Sequence, residues 1–472
     1  MTRRLLTISI LICCACSADP LPSGHYIITT GQETDTFSLS PAPTKYTLSS
    51  LSATDSNASL TAVSSSDKPI ESIQVPPSGA NWYSLKGEDA DGIRRVQATS
   101  FPVSGLTMAG YDYPLFAGRT DAFCRPPGAL IKAQGNHPPA GMIWGRYLWV
   151  LGASSMSTIT TDSYDLIAWG QTSAQTSSNS FATVTCTKTP CAFQSLATYE
   201  TFDSNNYLTG EFALGIGTNW ANAIDVYGGT IVDVNLPADL PSWADIAGGR
   251  TLTTIAGGSY IVGATRSSAE SSAVLEVATD SNLYAFGLNK ARQNAAATYI
   301  EGQGLVVIGG ISADDSTSSG IELLAPDGTK FASLPYPTDH VQGAALVAGN
   351  STGNIVWRIG GRNSDGTPAP SVSYDLSCTQ DCTPQPLTGL DVDVITAVGF
   401  GYADKRIVVG EVDADGTMDA WRLTDTTVTR IPQREPRKSA TAFELPNGFI
   451  ALIGGTLVSD GSDALNLELV AY

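Results

Sequence analysis

Apolar and polar positions along this chain fall into short runs that recur in a set order. A strand of small and apolar residues comes first, as in "VQGAALVA" or "KSATAFEL". A turn follows, "NSTGN" or "PNG", and then an apolar run ending in glycine, "NIVWRIGG" or "FIALIGG". A third strand such as "GIELLAP" or "ALNLELV" lies further on, and a fourth, less regular one runs into "SLP" or "RIP". Four short strands joined by turns predict one antiparallel sheet. The runs "LVVI" and "IALI" do not alternate, so both faces of those strands must be covered.

The pattern has a period. Aligned on the glycine that ends the apolar strand, Gly217, Gly263, Gly309, Gly360, Gly410 and Gly454 are separated by 46, 46, 51, 50 and 44 residues. Gly152 lies 65 residues before Gly217, and a Ser/Thr-rich insertion fills the difference. Sheets stacked radially around an axis cover one another's faces, which predicts a β-propeller. The expected fold is all-β, a propeller of four-stranded antiparallel blades over residues 24–472. Residues 144–472 are its regular repeats and 24–143 its divergent part. Seven blades fit the spacing, with six or eight as alternatives. The last unit ends at Tyr472 on its third strand, so an N-terminal strand should close the ring, and Gly24–Gly31 is a candidate. Short strands are also expected between Thr44 and Arg119, as an extra blade or a small β-domain.

The double glycines Gly309-Gly310, Gly360-Gly361 and Gly454-Gly455, with Tyr374 and Trp421 downstream of their strands, resemble kelch repeats. Gly152, Gly263 and Gly410 depart from that pattern, since no second glycine follows them. The resemblance implies a propeller and a habit of binding, not a particular activity.

The first residues read as an export segment. Thr2, Arg3 and Arg4 precede "LLTISILICCA", an apolar run of 11 residues. A membrane-crossing helix needs about 20, so this is the core of a signal peptide. "CCACS" resembles the lipobox of bacterial lipoproteins. That resemblance implies a signal over 1–15, acylation of Cys16, a tether over 16–23, and, with Ser17 following, the outer membrane. Ordinary cleavage after Ala18 is the competing reading.

Charge narrows the partners. Asp and Glu number 45 against 26 Lys and Arg, a net charge of −19, which repels phosphate backbones and argues against nucleic acid. Cysteines agree with export: Cys186 with Cys191, and Cys378 with Cys382, are spaced as local disulfides. Cys124 is left over as a buried thiol, unless Cys16 pairs with it.

Candidate chemistry is sparse. His25, His137 and His340 are scattered, and no nucleophile elbow, phosphate loop or His-Glu-x-x-His is present. Neither a catalytic residue nor a cofactor nor a metal ligand is assigned. Glu411, Asp413, Asp415 and Asp419, with Gly416, have the spacing of a calcium-binding hairpin, but the sister loops are equally polar and a solvated turn is the favoured reading. "EDADG", Glu88–Gly92, has part of the same pattern. The expected function is a monomeric, non-enzymatic envelope lipoprotein that binds a protein or glycan through its loops. The alternative is a carbohydrate-active enzyme resembling kelch-type epimerases. Convergent charged groups in the central funnel would favour the enzyme, and Ser, Thr and Ala would favour binding.

Overall fold

The computed structural model describes residues 24–52, 61–75, 80–100, 103–104, 112–127, 140–144, 147–153, 158–165, 170–171, 183–185, 194–202, 208–225, 231–253, 258–267, 269–279, 282–313, 320–337, 339–402, 405–445 and 447–472. Among them, helix is confined to two single 3-10 turns, Trp243–Asp245 and Gly263–Thr265.

The chain is a β-propeller of four-stranded antiparallel blades. The first blade runs outward from Ala140–Trp144 through Tyr147–Ala153 and Thr158–Asp165 to Gly170–Gln171. The second uses Ser195–Phe202, Leu208–Gly217, Trp220–Asp225 and Ile231–Asp233. The third uses Arg250–Thr253, Ser259–Val262, Ser271–Val277 and Leu283–Arg292; the fourth, Ala296–Ile300, Gly304–Ile308, Ile321–Leu324 and Ala332–Leu334. The fifth comprises Ala345–Ala348, Ile355–Ile359, Val372–Asp375 and Gln385–Pro386; the sixth, Thr396–Tyr402, Lys405–Glu411, Met418–Leu423 and Val428–Arg430. A closing three-stranded sheet follows, Thr441–Glu444, Phe449–Ile453 and Glu468–Ala471. Six units are complete blades, the number the spacing allowed as an alternative to seven, and the last unit contributes a three-stranded sheet. Each inner strand touches the next from the first blade to the sixth, and the inner strand of the closing sheet touches that of the first blade.

The second strands explain the architecture. Gly304–Ile308 and Phe449–Ile453 are buried at every position. Leu305 and Val307 pack toward the third blade with Tyr260 and Val274, whereas Val306 and Ile308 pack toward the fifth with Leu346 and Val356. Each large aliphatic side chain so buried contributes about 1.5–3 kcal/mol, and a solitary sheet would forfeit half of that.

Ring closure differs from the expectation for Gly24–Gly31. Gly24–Thr29 instead pairs with Ser72–Val75 and, in parallel, with Asp112–Arg119, inside an eight-stranded N-terminal sheet. The edge of the closing sheet is taken by Cys124, whose main chain exchanges two 2.8 Å hydrogen bonds with Leu469. Side chains reinforce this clasp: Arg125 meets Glu33 at 2.7 Å and Glu435 at 3.1 Å, and Arg434 meets Asp35 at 2.9 Å. The N-terminal sheet packs on the closing sheet through Phe116 against Phe449, with ring centroids 5.7 Å apart.

Candidate functional site

Cys16, Cys186, Cys191 and His137 lie outside the described residues. Cys378 and Cys382 form the expected disulfide, with Cα atoms 6.0 Å apart. Cys124 is a free, buried thiol, and burial pushes it up to about 11, well away from reactive thiolate character. His25 sits on the N-terminal sheet, 3.3 Å from Asp112, and His340 on the approach to the fifth blade, so the structure does not bring them together.

The Glu411–Asp419 loop spends its carboxylates separately. Asp413 accepts main-chain N–H groups from Asp415 and Thr417, which holds its carboxyl below the usual range. Glu411 accepts from Thr396 Oγ1 at 2.9 Å, Asp415 faces Lys438 at 3.4 Å, and Asp419 pairs with Arg430 at 2.6 Å. Among the described residues, no three His, Cys, Asp or Glu side chains converge on a point that could hold a metal ion.

The double glycines serve a network that the sequence pattern alone did not expose. Gly309 and Gly310 have φ of 70° and 86°, Gly360 and Gly361 61° and 89°, Gly454 and Gly455 63° and 81°. A Cβ on Gly310 would stand 2.7 Å from the Gln293 carbonyl oxygen, so only glycine fits. The carbonyl of the first glycine accepts from a buried arginine each time: Arg292 to Gly309 at 3.0 Å, Arg358 to Gly360 at 3.0 Å, Arg437 to Gly454 at 3.3 Å. Each arginine also meets a buried acid, Glu322, Asp339 and Glu468 respectively. In the fifth blade the charges exchange segments: the acid precedes the inner strand and the arginine sits on the second strand. The third and sixth blades lack a second glycine and lack the pair; Ile246, Ile261 and Leu275 fill that place in one, and Val394, Val408 and Trp421 in the other. A signal was available, because Arg292 precedes Glu322 by 30 residues and Arg437 precedes Glu468 by 31.

The hub is set by the inner strands. The position paired with the residue before the aligned glycine is Ala140, Ser195, Arg250, Ala296, Ala345, Val398 and Thr441 in successive units. Three residues further along, the level reads Ile143, Thr198, Thr253, Tyr299, Ala348, Gly401 and Glu444. One level thus carries a single cation and the other a single acid. No ion pair joins them. Arg250 donates from Nη1 to the Ala297 carbonyl, 3.2 Å away on the neighbouring inner strand, and burial pushes its guanidinium down to about 10. Glu444 accepts from the Tyr472 hydroxyl at 2.7 Å. Water reaches its carboxylate, yet the surrounding ring of strands disfavours the charge and raises its pKa, with the Tyr472 hydrogen bond opposing.

No protein-family model and no curated protein matches this chain. Among solved structures it is similar to an inactive variant of virginiamycin B lyase from Staphylococcus aureus, solved with quinupristin, at 9% identity over 73% of this chain and 98% of that one, TM-score 0.39. It is also similar to the Neurospora crassa Pan2 WD40 domain, at 9% identity over 74% of this chain and 95% of the other, TM-score 0.38.

Proposed function

We propose that this chain is a non-enzymatic, kelch-like propeller of the bacterial envelope, anchored in the outer membrane through acylated Cys16, that binds a protein or glycan through its loops. The supporting observation is the hub. At the two register positions compared on the inner strands, small and hydroxyl-bearing residues predominate, and Arg250 and Glu444 stand at different positions with no ion pair between them. The other buried charges described above are spent in internal ion pairs, which hold blades in register. Acid–base chemistry on a sugar needs groups that converge on one reacting centre. The acidic surface, at a net charge of −19, fits a ligand that is not a nucleic acid.

The test couples binding to turnover. The purified protein is offered a panel of envelope glycans and outer-membrane proteins in equilibrium binding, while the same sugars are followed by NMR. Saturable binding without chemical change is the expected outcome. Conversion of any bound sugar rejects the reading in favour of the carbohydrate-active enzyme. Mass spectrometry of the membrane fraction addresses the anchor: a diacylglyceryl group on Cys16 is expected, and a free amino terminus at Asp19 removes that part.

A further inference from the structure

Arg250 differs from the other buried arginines in how it is satisfied. Arg292, Arg358 and Arg437 each meet an acid and a glycine carbonyl. Arg119 has Asp121 and three main-chain carbonyls, and Arg406 has Asp425, two carbonyls and the Trp357 ring 3.6 Å beneath it. Arg250 has the single bond from Nη1 to Ala297. Its Nε and Nη2 edge, the fork that fits a planar oxyanion, has no acceptor among the described residues. The residue is mostly buried and keeps a minor solvent-exposed fraction.

The stalk of Arg250 is held in place. Its main-chain N–H donates to Thr265 Oγ1 at 2.7 Å, and that hydroxyl donates on to the Val262 carbonyl at 2.7 Å. The Gly249 carbonyl beside it accepts from Ser195 Oγ at 2.8 Å. Leu252, two residues on and therefore on the same face of the strand, is locked into the core between the third and fourth blades. The chain thus fixes a cation at the inner edge of the interface between the third and fourth blades, with no acceptor for its fork among the described residues. Arg119, Arg292, Arg358, Arg406 and Arg437 each have a carboxylate and Arg266 has three main-chain carbonyls, whereas Arg250 has one carbonyl among the described residues. At its register position on the other inner strands stand alanine, serine, valine and threonine. A cation kept in a low-polarity site without a counter-charge is costly, and a ligand that brings the charge recovers that cost.

We propose that the Nε–Nη2 edge of Arg250 is the receptor for an oxyanion, a carboxylate or phosphate group carried by a ligand that enters the hub. This rests on the reading of the propeller as a binding protein and names the chemistry of one ligand group. Burial, which pushes the guanidinium down to about 10, is the same low polarity that strengthens its bond to an anion.

Isothermal titration of the purified full chain at low ionic strength tests it. Sodium acetate and glucuronate form the carboxylate arm, inorganic phosphate the second arm, and glucose the neutral control. Saturable binding in at least one oxyanion arm and none with glucose is expected. Arg250→Gln should weaken that binding about tenfold or more, and Arg250→Lys should fall between, since an ammonium supplies charge without the fork. Without ligand, the Tm of both variants should equal or exceed that of the unmodified protein. No affinity in either arm, or equal affinity in Arg250→Gln, overturns the proposal. A ligand-free Tm lowered in both variants also overturns it, because the arginine then serves the scaffold. Loss of this site alone leaves glycan or protein binding at the loops intact, whereas sugar turnover strikes the binding reading and leaves the oxyanion affinity to be judged separately.

Discussion

The Arg437 guanidinium and the Glu468 carboxylate meet at 3.2 Å, and solvent reaches neither side chain. Glu468 also accepts the main-chain N–H groups of Arg434 and Glu435, while Arg437 donates to the carbonyls of Gly454 and Asn466. The pair ties the approach to the closing sheet onto its third strand. Arg437→Met should cost about 3–5 kcal/mol in denaturant unfolding, because it leaves Glu468 in the core without a counter-charge. The double variant Arg437→Met with Glu468→Met should recover much of that loss. Equal destabilisation by the single and double variants would show that packing, not charge pairing, dominates here.

The double glycine can be separated into backbone strain and space. Gly302 has φ +76° and nothing within 4 Å of a Cβ, so Gly302→Ala reports strain alone, about 1–2 kcal/mol. Gly310 has φ +86° and the Gln293 carbonyl 2.7 Å from its Cβ position. Gly310→Ala should therefore cost more than Gly302→Ala when both are measured by thermal unfolding, and the same cost for both would remove the steric part of the explanation.

Glu444 should make stability fall as pH rises through its titration. Its folded-state carboxyl lies above the ordinary range because the surrounding strands partly desolvate it even though water reaches the residue, with the Tyr472 hydroxyl working against that. A raised acid contributes stability that is fully present below its unfolded pKa and lost as pH rises through the folded value. Glu444→Gln keeps the uncharged form at all pH. The variant should be more stable than the parent at neutral pH and indistinguishable from it below about pH 4. Melting curves across that range check both halves.

Cys378 and Cys382 close a loop with a sequence separation of 4. The loop-entropy model assigns such a crosslink about 2 kcal/mol. Cys378→Ala with Cys382→Ala should lose about that much in denaturant unfolding and should leave ligand binding unchanged, because Val372–Asp375 and Gln385–Pro386, the strands it joins, lie on the rim of the fifth blade.

The propeller was legible because the information that specifies it is local and repeated. Non-alternating runs such as "LVVI" and "IALI" state that both faces are buried, and their recurrence states that several sheets share the task, while the spacing favoured seven blades where six are complete. What occupies the edge of the last sheet was not legible. Gly24–Gly31 and the segment around Cys124 are both short and extended, and their pairing is decided by where the N-terminal sheet docks. The Glu411–Asp419 loop shows the reverse: its carboxylates suggest one centre on paper, and Thr396, Lys438 and Arg430 draw them apart.

By itself, then, the amino-acid order determined the strands, their grouping into units and the radial stacking, since each follows from hydrophobic burial within a window of about 50 residues. Only the tertiary structure decided that Cys124 edges the closing sheet, that arginines answer the glycine carbonyls, and that Arg250 reaches the Ala297 carbonyl of the next blade. Those relations depend on register and on the neighbour across a blade interface. Electrostatic pairing acts through space, and residues such as Asp339 and Arg358 can exchange segments without changing the pair they make.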